Sequence, residues 1–229
     1  MKSILITGAS SGIGRATALG LAADSPSIFF LIGRNEGRLS SLHRQLIEAG
    51  SESHTFICNV SSATEVERTY QSIISDHQKI DIAFLNAGVG RFGSIEDLTE
   101  EDYDLQFNTN VKGVFLWIRL LVPIMKQSKS GQIIVTSSNL GLETSPRASL
   151  YAATKFAVEA IVGSVRKELK GTGVKIATVN PGAVDTPWFD GKKVDRSKML
   201  DVNDVVNAVK LIVNQGRRSD IRRVHLTPP

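Results

Sequence analysis

Short apolar runs alternate along this chain with longer segments whose apolar residues recur every three or four positions. The runs are Ser3–Thr7, Ser27–Ile32, Thr55–Cys58, Ile80–Leu85, Gln132–Ser137, Val174–Val179 and Ile221–Leu226, and they predict strands. Ile13–Ala23, Asn35–Ala49, Ala63–His77 and Val202–Val213 have helical composition. Thr99-Glu100-Glu101-Asp102 has the form of a capping box and predicts a long helix reaching Met125. Leu150–Lys170 places Val158, Ile161, Val162, Val165 and Leu169 on one helical stripe. Strand and helix alternate throughout. That order predicts an α/β, doubly wound architecture: a mostly parallel sheet of about seven strands with helices on both faces. No linker, repeat or low-complexity stretch divides residues 1–229, so a single domain is the expectation.

Composition narrows the function classes without choosing one. A net charge of +4 comes from basic residues that are mostly scattered. The densest group, Arg217-Arg218 and Arg222-Arg223, has no interleaved aromatics to stack bases, which argues against a nucleic-acid partner. The apolar stretch Val114–Met125 is short and interrupted by Arg119 and Pro123, which argues against a membrane span. The amino-terminal apolar run is too short for a signal peptide, and the single cysteine, Cys58, suits a reducing compartment. These features point to a cytoplasmic protein. His43, His54, His77 and His225 have no metal-ligand spacing along the chain, so no metal is expected.

Ligands of such sheets bind at the carboxyl ends of the strands. The first strand runs into Thr7-Gly8-Ala9-Ser10-Ser11-Gly12-Ile13-Gly14. Glycines let the backbone approach a pyrophosphate, and the helix starting at Gly12-Ile13 offers free N–H groups and the positive end of its dipole. Three glycines in a turn are common. Their place between a predicted strand and helix makes the signal specific.

The spacing T-G-x-x-x-G-I-G resembles the opening pattern of the short-chain dehydrogenase/reductase family, whose fold is of the Rossmann type. Further landmarks follow in order: Asn86-Ala87-Gly88, Asn110, Ser138, Tyr151-x-x-x-Lys155, and Pro181-Gly182 with Thr186. The resemblance implies a nicotinamide cofactor held by Gly8, Ser10, Ser11, Gly12, Ile13 and Gly14. It adds Asn59-Val60 at the adenine, where the family pattern is Asp-Val, and Asn86, Ala87 and Gly88 along the adenosine. Pro181, Gly182, Val184 and Thr186 would fix the nicotinamide end, and Lys155 the ribose beside Tyr151.

The residues also speak to which nicotinamide. An acidic residue normally ends the second strand of an NAD site. Here that place reads Gly33-Arg34. A guanidinium pairs with a 2′-phosphate where a carboxylate would repel it, so NADP(H) is expected, with Arg34 at the phosphate.

Tyr151 and Lys155 share one face of a predicted helix. A nearby ammonium favours phenolate and should bring a tyrosine pKa down from near 10. The resemblance completes a catalytic set with Ser138, which would bond the substrate oxygen, and Asn110, which would hold a water. Asn108 and Ser137 are neighbouring alternatives of the same type. The expected activity is hydride transfer between NADP(H) and a small carbonyl or alcohol substrate. Arg91-Phe92, Asn139-Leu140, Leu142, Pro146-Arg147 and Trp188-Phe189 are expected to line the substrate pocket, under a lid at 183–200. Arg147, Lys192 and Lys193 can meet an acidic group, although plain solvation explains them as well. Thr99–Met125 and Leu150–Lys170 resemble the helices through which the family pairs subunits. With Phe156 and Val158 widening the apolar surface, a homodimer or homotetramer is expected. Two other readings share these motifs: a dinucleotide-binding sensor that has lost catalysis, and a sugar-nucleotide epimerase, for which the chain lacks a large carboxyl-terminal region.

Overall fold

The computed structural model describes residues 1–228. In chain order the elements are β1 (Ser3–Thr7), α1 (Gly12–Asp24), β2 (Ile28–Gly33), α2 (Glu36–Glu48), β3 (Glu52–Ile57), α3 (Ala63–His77) and β4 (Ile82–Leu85). Then come α4 (Glu100–Phe107), α5 (Gly113–Gln127), β5 (Gly131–Thr136), α6 (Ser149–Glu168), β6 (Val174–Pro181), α7 (Val202–Val213) and β7 (Arg223–Leu226). The seven strands form one sheet in the order β3-β2-β1-β4-β5-β6-β7, and every pairing is parallel.

Alternation along each central strand divides the core in two. Ile4 and Ile6 of β1 and Phe84 of β4 pack toward α1, α2 and α7. Leu5, Ala83 and Leu85 point the other way, toward α3, α5 and α6. Both faces being covered is why the strands read as continuous apolar runs. At the amino end of the sheet Asp81 accepts from the Ser3 N–H at 2.8 Å and the Ser3 hydroxyl at 2.9 Å, fixing β1 against β4.

Most predicted elements fall within a residue or two of those observed, and three differences are informative. β3 begins at Glu52, three residues before the predicted start. It is an edge strand, so its polar outward residues conceal the period. The long helix expected from Thr99 to Met125 is interrupted. The Thr99 capping box starts α4 as expected, but Asn108–Lys112 forms a π-helical turn before α5. Val158 is buried in the core, so it does not widen a surface stripe. Phe156 and Phe115 instead stand 42% and 48% exposed on α6 and α5.

Among the described residues no helix is long and apolar enough to cross a membrane. His54 and His77, far apart in sequence, meet in space with ring centroids 4.7 Å apart beside Glu52, at the end of the sheet away from the strand carboxyl ends.

Candidate active site

β1 and β2 lie on one side of a reversal in strand order, and β4, β5 and β6 on the other. Their carboxyl ends open onto a cleft of about 690 Å³. All of the residues singled out as cofactor contacts border it except Gly14, which lies just beneath. Gly8 and Gly12 have φ of +67° and +51°, a region open mainly to glycine. A Cβ on Gly14 would collide with the Gly8 carbonyl, and one on Gly8 would lie 2.9 Å from the Ala87 Cα. The backbone there is as close as backbone can be, which leaves the outer surface of the turn free for a ligand.

The first turn of α1 is also left open. Asn35, Ser62, Thr99 and Asp201 cap α2, α3, α4 and α7 through side-chain oxygens. Ser11, which precedes α1, makes no such bond, and the first turn of α1 holds no acidic residue. Its N–H groups and dipole are therefore available to an anion. Arg34 and Arg38 are exposed on the cleft rim near Ser10 and Ser11. Arg38 escaped the sequence reading. It stands one helical turn beyond Arg34, and that periodicity was the available signal.

Asn86 also has a structural part in the cleft floor. Its amide points at the Thr7 and Gly8 carbonyls, at 3.4 and 3.5 Å, and its oxygen accepts from the Thr136 hydroxyl at 3.1 Å. It ties strands together from the cleft floor. Asn59 holds a local turn, its side-chain oxygen accepting from the Ser61 N–H and hydroxyl.

On the other side of the cleft, α6 presents Tyr151 and Lys155. The Lys155 ammonium lies 5.6 Å from the centre of the Tyr151 ring and donates to the Thr136 carbonyl at 2.9 Å. Burial pulls the Lys155 pKa down to about 8, with Glu159 opposing the fall. Burial pushes Tyr151 up to about 12, and the adjacent Ser138 hydroxyl only partly offsets it. The anticipated depression of Tyr151 is thus absent from the chain by itself, because desolvation of the phenolate outweighs the Ser138 hydrogen bond. Ser138, whose hydroxyl sits beside Tyr151, separates cleanly from Ser137, whose buried hydroxyl packs where a Gly141 Cβ would be. Asn110 lies in the π turn, buried under the cleft. Its side chain exchanges two 2.8 Å hydrogen bonds with the Val89 backbone and donates to Thr154 at 3.1 Å. Both side-chain groups of Asn110 are thus engaged by protein. Of the expected substrate-pocket residues, Phe92, Asn139, Leu140, Trp188 and Phe189 border the cleft; Arg91, Leu142, Pro146 and Arg147 do not.

Glu159 was also missed. It follows Lys155 by one helical turn. Its carboxylate accepts from Asn180 Nδ2 and Arg223 Nη2, both at 2.7 Å, and Asn180 Nδ2 in turn donates to the Ser138 carbonyl at 3.0 Å.

The fold and site define a dinucleotide-binding oxidoreductase architecture. The chain belongs to the short-chain dehydrogenase family, whose model matches residues 2–197. It is 33% identical over 227 residues to an oxidoreductase of Staphylococcus epidermidis, covering 99% of this chain and 97% of that one. It is 34% identical over 237 residues to the sepiapterin reductase of Chlorobaculum tepidum, covering 100% and 97%. An alcohol dehydrogenase from the archaeon Thermococcus sibiricus, solved with 5-hydroxy-NADP, superposes with a TM-score of 0.92 at 28% identity, over 100% of this chain and 97% of that one.

Burial would raise the Glu159 pKa, but the bonds from Asn180 and Arg223 outweigh it and hold it below the usual carboxylate range. A lowered folded-state pKa means stability that is present above the unfolded pKa, about 4.3, and lost as pH falls through the folded value. Glu159→Ala should therefore lower Tm by about 6 °C at pH 7, the equivalent of roughly 2 kcal/mol in a chain of this size. Thermal melts should show the gap closing below about pH 4.

Proposed function

We propose that this protein is an NADP(H)-dependent reductase of carbonyl compounds, with Tyr151 as proton donor, Ser138 and Lys155 as its partners and Asn110 as support. The observation that carries this reading is the convergence on one cleft of Tyr151, Lys155 and Ser138 with the uncapped first turn of α1. The cradle fits a nicotinamide dinucleotide. Gly8, Gly12 and Gly14 keep the turn free of side chains, and the N–H groups after Ser11 would meet the pyrophosphate. Val60 and Asn59 would border the adenine, with Asn86, Ala87 and Gly88 along the adenosine. Pro181, Gly182, Val184 and Thr186 would meet the carboxamide end. The bound dinucleotide supplies or accepts the hydride.

The chain's own part is placement and proton control. The Ser138 hydroxyl donates to the substrate oxygen. Tyr151 gives that oxygen its phenolic proton, and Lys155, an ammonium below about pH 8, stabilises the phenolate that results. At neutral pH the phenol is protonated and ready to donate. Residues 183–200 would cover the substrate. The single buried thiol, Cys58, suits a reducing, cytoplasmic setting.

Tyr151→Phe should lower kcat at least a hundredfold while leaving the Kd for NADPH within about twofold. Stopped-flow turnover and cofactor fluorescence titration read the two quantities separately. Retained turnover would move the proton donor elsewhere.

Arg34 and Arg38 flank the place where a 2′-phosphate would emerge, and charge-assisted pairing with them favours NADPH over NADH. NADPH should bind at least tenfold more tightly, roughly 1.4 kcal/mol. Arg34→Ala should remove part of that preference and the double variant with Arg38→Ala nearly all of it. Calorimetric titration with each cofactor decides this, and equal affinities in the unmodified protein would refute it.

We also infer a homodimer, extendable to a homotetramer, joined through α4, α5 and α6. Phe115 on α5 and Phe156 on α6 stand exposed, and on α4 Tyr103 stacks on Phe107 at 4.3 Å. Light scattering at micromolar concentration should give at least twice the 24.8 kDa chain mass. Phe115→Glu with Phe156→Glu should return the monomer.

A further inference from the structure

The aromatic residues beside Tyr151 converge with one lysine in a way that points to the kind of substrate. Phe92 lies 5.2 Å from the Tyr151 ring and Trp188 6.0 Å, centre to centre. The Lys192 ammonium lies over three rings: 5.6 Å from the centres of Phe92 and Trp188 and 5.3 Å from Phe189. The two walls differ in how they are held. The Phe92 wall is pinned at alternate residues. Val89 exchanges hydrogen bonds with Asn110, the Arg91 N–H donates to Gln106 at 3.0 Å, and the Gly93 N–H donates to the Arg147 carbonyl at 2.9 Å. Gly90 lets the walls close: a Cβ there would lie 2.7 Å from Trp188 and 2.8 Å from Phe92. The facing wall, Trp188 and Phe189, belongs to a segment tied at its base by the Val184–Leu200 bridge and internally by Arg196, which pairs with Asp185 and Asp190.

The charges at this mouth are unbalanced. Arg196 takes up Asp185 and Asp190, Lys198 pairs with Asp195, and Arg91 pairs with Asp102. Lys192 has no carboxylate partner among the described residues, and its pKa is lowered, first by burial and then by the Arg91 guanidinium. An ammonium with no carboxylate partner beside a second cation is a place an anion relieves. The faces of Phe92 and Trp188 are a surface for a flat ring. An aliphatic cation would suit the rings but be repelled by Lys192 and Arg91.

We propose that the substrate is a flat aromatic carbonyl compound carrying an anionic group at the far end of its ring from the carbonyl. The ring lies along the faces of Phe92 and Trp188, the carbonyl meets Tyr151 and Ser138, and the anion meets Lys192. This rests on the reading of Tyr151 as proton donor. The reaction balances with NADPH as reductant: carbon gains the hydride, and oxygen gains the Tyr151 proton, replaced from solvent.

Three probes separate the claims: 4-acetylbenzoate, its neutral methyl ester, and trans-4-acetylcyclohexanecarboxylate, which keeps the charge but loses the flat ring. With NADPH, kcat/KM for 4-acetylbenzoate should exceed that for each of the others about tenfold. Lys192→Met, which keeps the apolar stem, should bring the acid down to the level of the ester through KM. Phe92→Leu should shrink the preference for the aromatic acid over the saturated one. Titration of 4-acetylbenzoate should also quench Trp188 emission, measured in a Trp117→Phe background, with a weaker Kd in Lys192→Met. An ester or saturated acid that performs as well as 4-acetylbenzoate overturns the proposal, as does an acid-to-ester ratio unmoved by Lys192→Met. So does failure to reduce any of the three. A parallel panel of small neutral ketones and aldehydes keeps the two readings apart: turnover there leaves Tyr151 as donor and sinks the aromatic anion alone, and silence throughout sinks both.

Discussion

The site depends on one constraint: the carboxyl ends of β1, β4 and β5 must stay locked together where the strand order reverses. Thr7 and Asn86 supply the lock. The Thr7 hydroxyl accepts from the backbone N–H groups of both Asn86 and Ala87, at 3.0 and 3.1 Å. The Asn86 side chain reaches back to the carbonyls of β1 and across to Thr136 on β5. The same Thr136 carries the carbonyl that receives Lys155. One polar cluster thus fixes the glycine turn on one side and Lys155 on the other. Such a network has few alternative arrangements. It can hold two halves of a site in register without relying on loops.

The second requirement is that helix ends and buried charges be used unequally. Capping residues close the first turns of α2, α3, α4 and α7, while α1, which opens on the cleft, starts without a side-chain cap, as do α5 and α6. On α6, Tyr151, Lys155 and Glu159 form a ladder one turn apart, with opposite charges on the lower two rungs. Burial works against both ionised lower rungs, and Glu159 keeps Lys155 from losing more of its charge. Asn180 first, and then Arg223 on the last strand, keep Glu159 ionised. The charge state beside Lys155 therefore reaches back in part to β7, which otherwise looks like a simple sheet edge.

Much of this was legible in the sequence because it is local. Alternating strand and helix, the glycine turn, the capping box at Thr99 and the four-residue spacing of Tyr151 and Lys155 are each carried by neighbouring residues. What was hidden depends on distance or on a break in a regular pattern. Nothing in the composition of Phe107-Asn108-Thr109-Asn110 interrupts a helix, yet one π turn there buries Asn110 and uses its side chain on Val89. Glu159 reads as an ordinary exposed helix acid until Asn180 and Arg223 arrive from two strands. Val158 and Phe156 are two residues apart on one helix, and only the position of α6 against the sheet decides that the first is core and the second surface. The same holds for Lys192, which the sequence could not distinguish from Lys193.

The two sides of the cleft mouth are built to different standards. The wall bearing Phe92 is held to α4 and the π turn by Gln106 and Asn110, both buried, so its shape is set by the core. The wall bearing Trp188 hangs from a single bridge and salt bridges at the surface, which are worth little each in water. A rigid wall can hold a ring at a fixed distance from Tyr151, and a weakly tethered one can admit and release it. Lys192 joins the two through aromatic faces, without a carboxylate, at about 0.5–1 kcal/mol for an exposed contact and more as it dries. A contact of that size closes the mouth yet yields to any ligand that offers the ammonium a better partner. Specificity and opening then rest on the same residue.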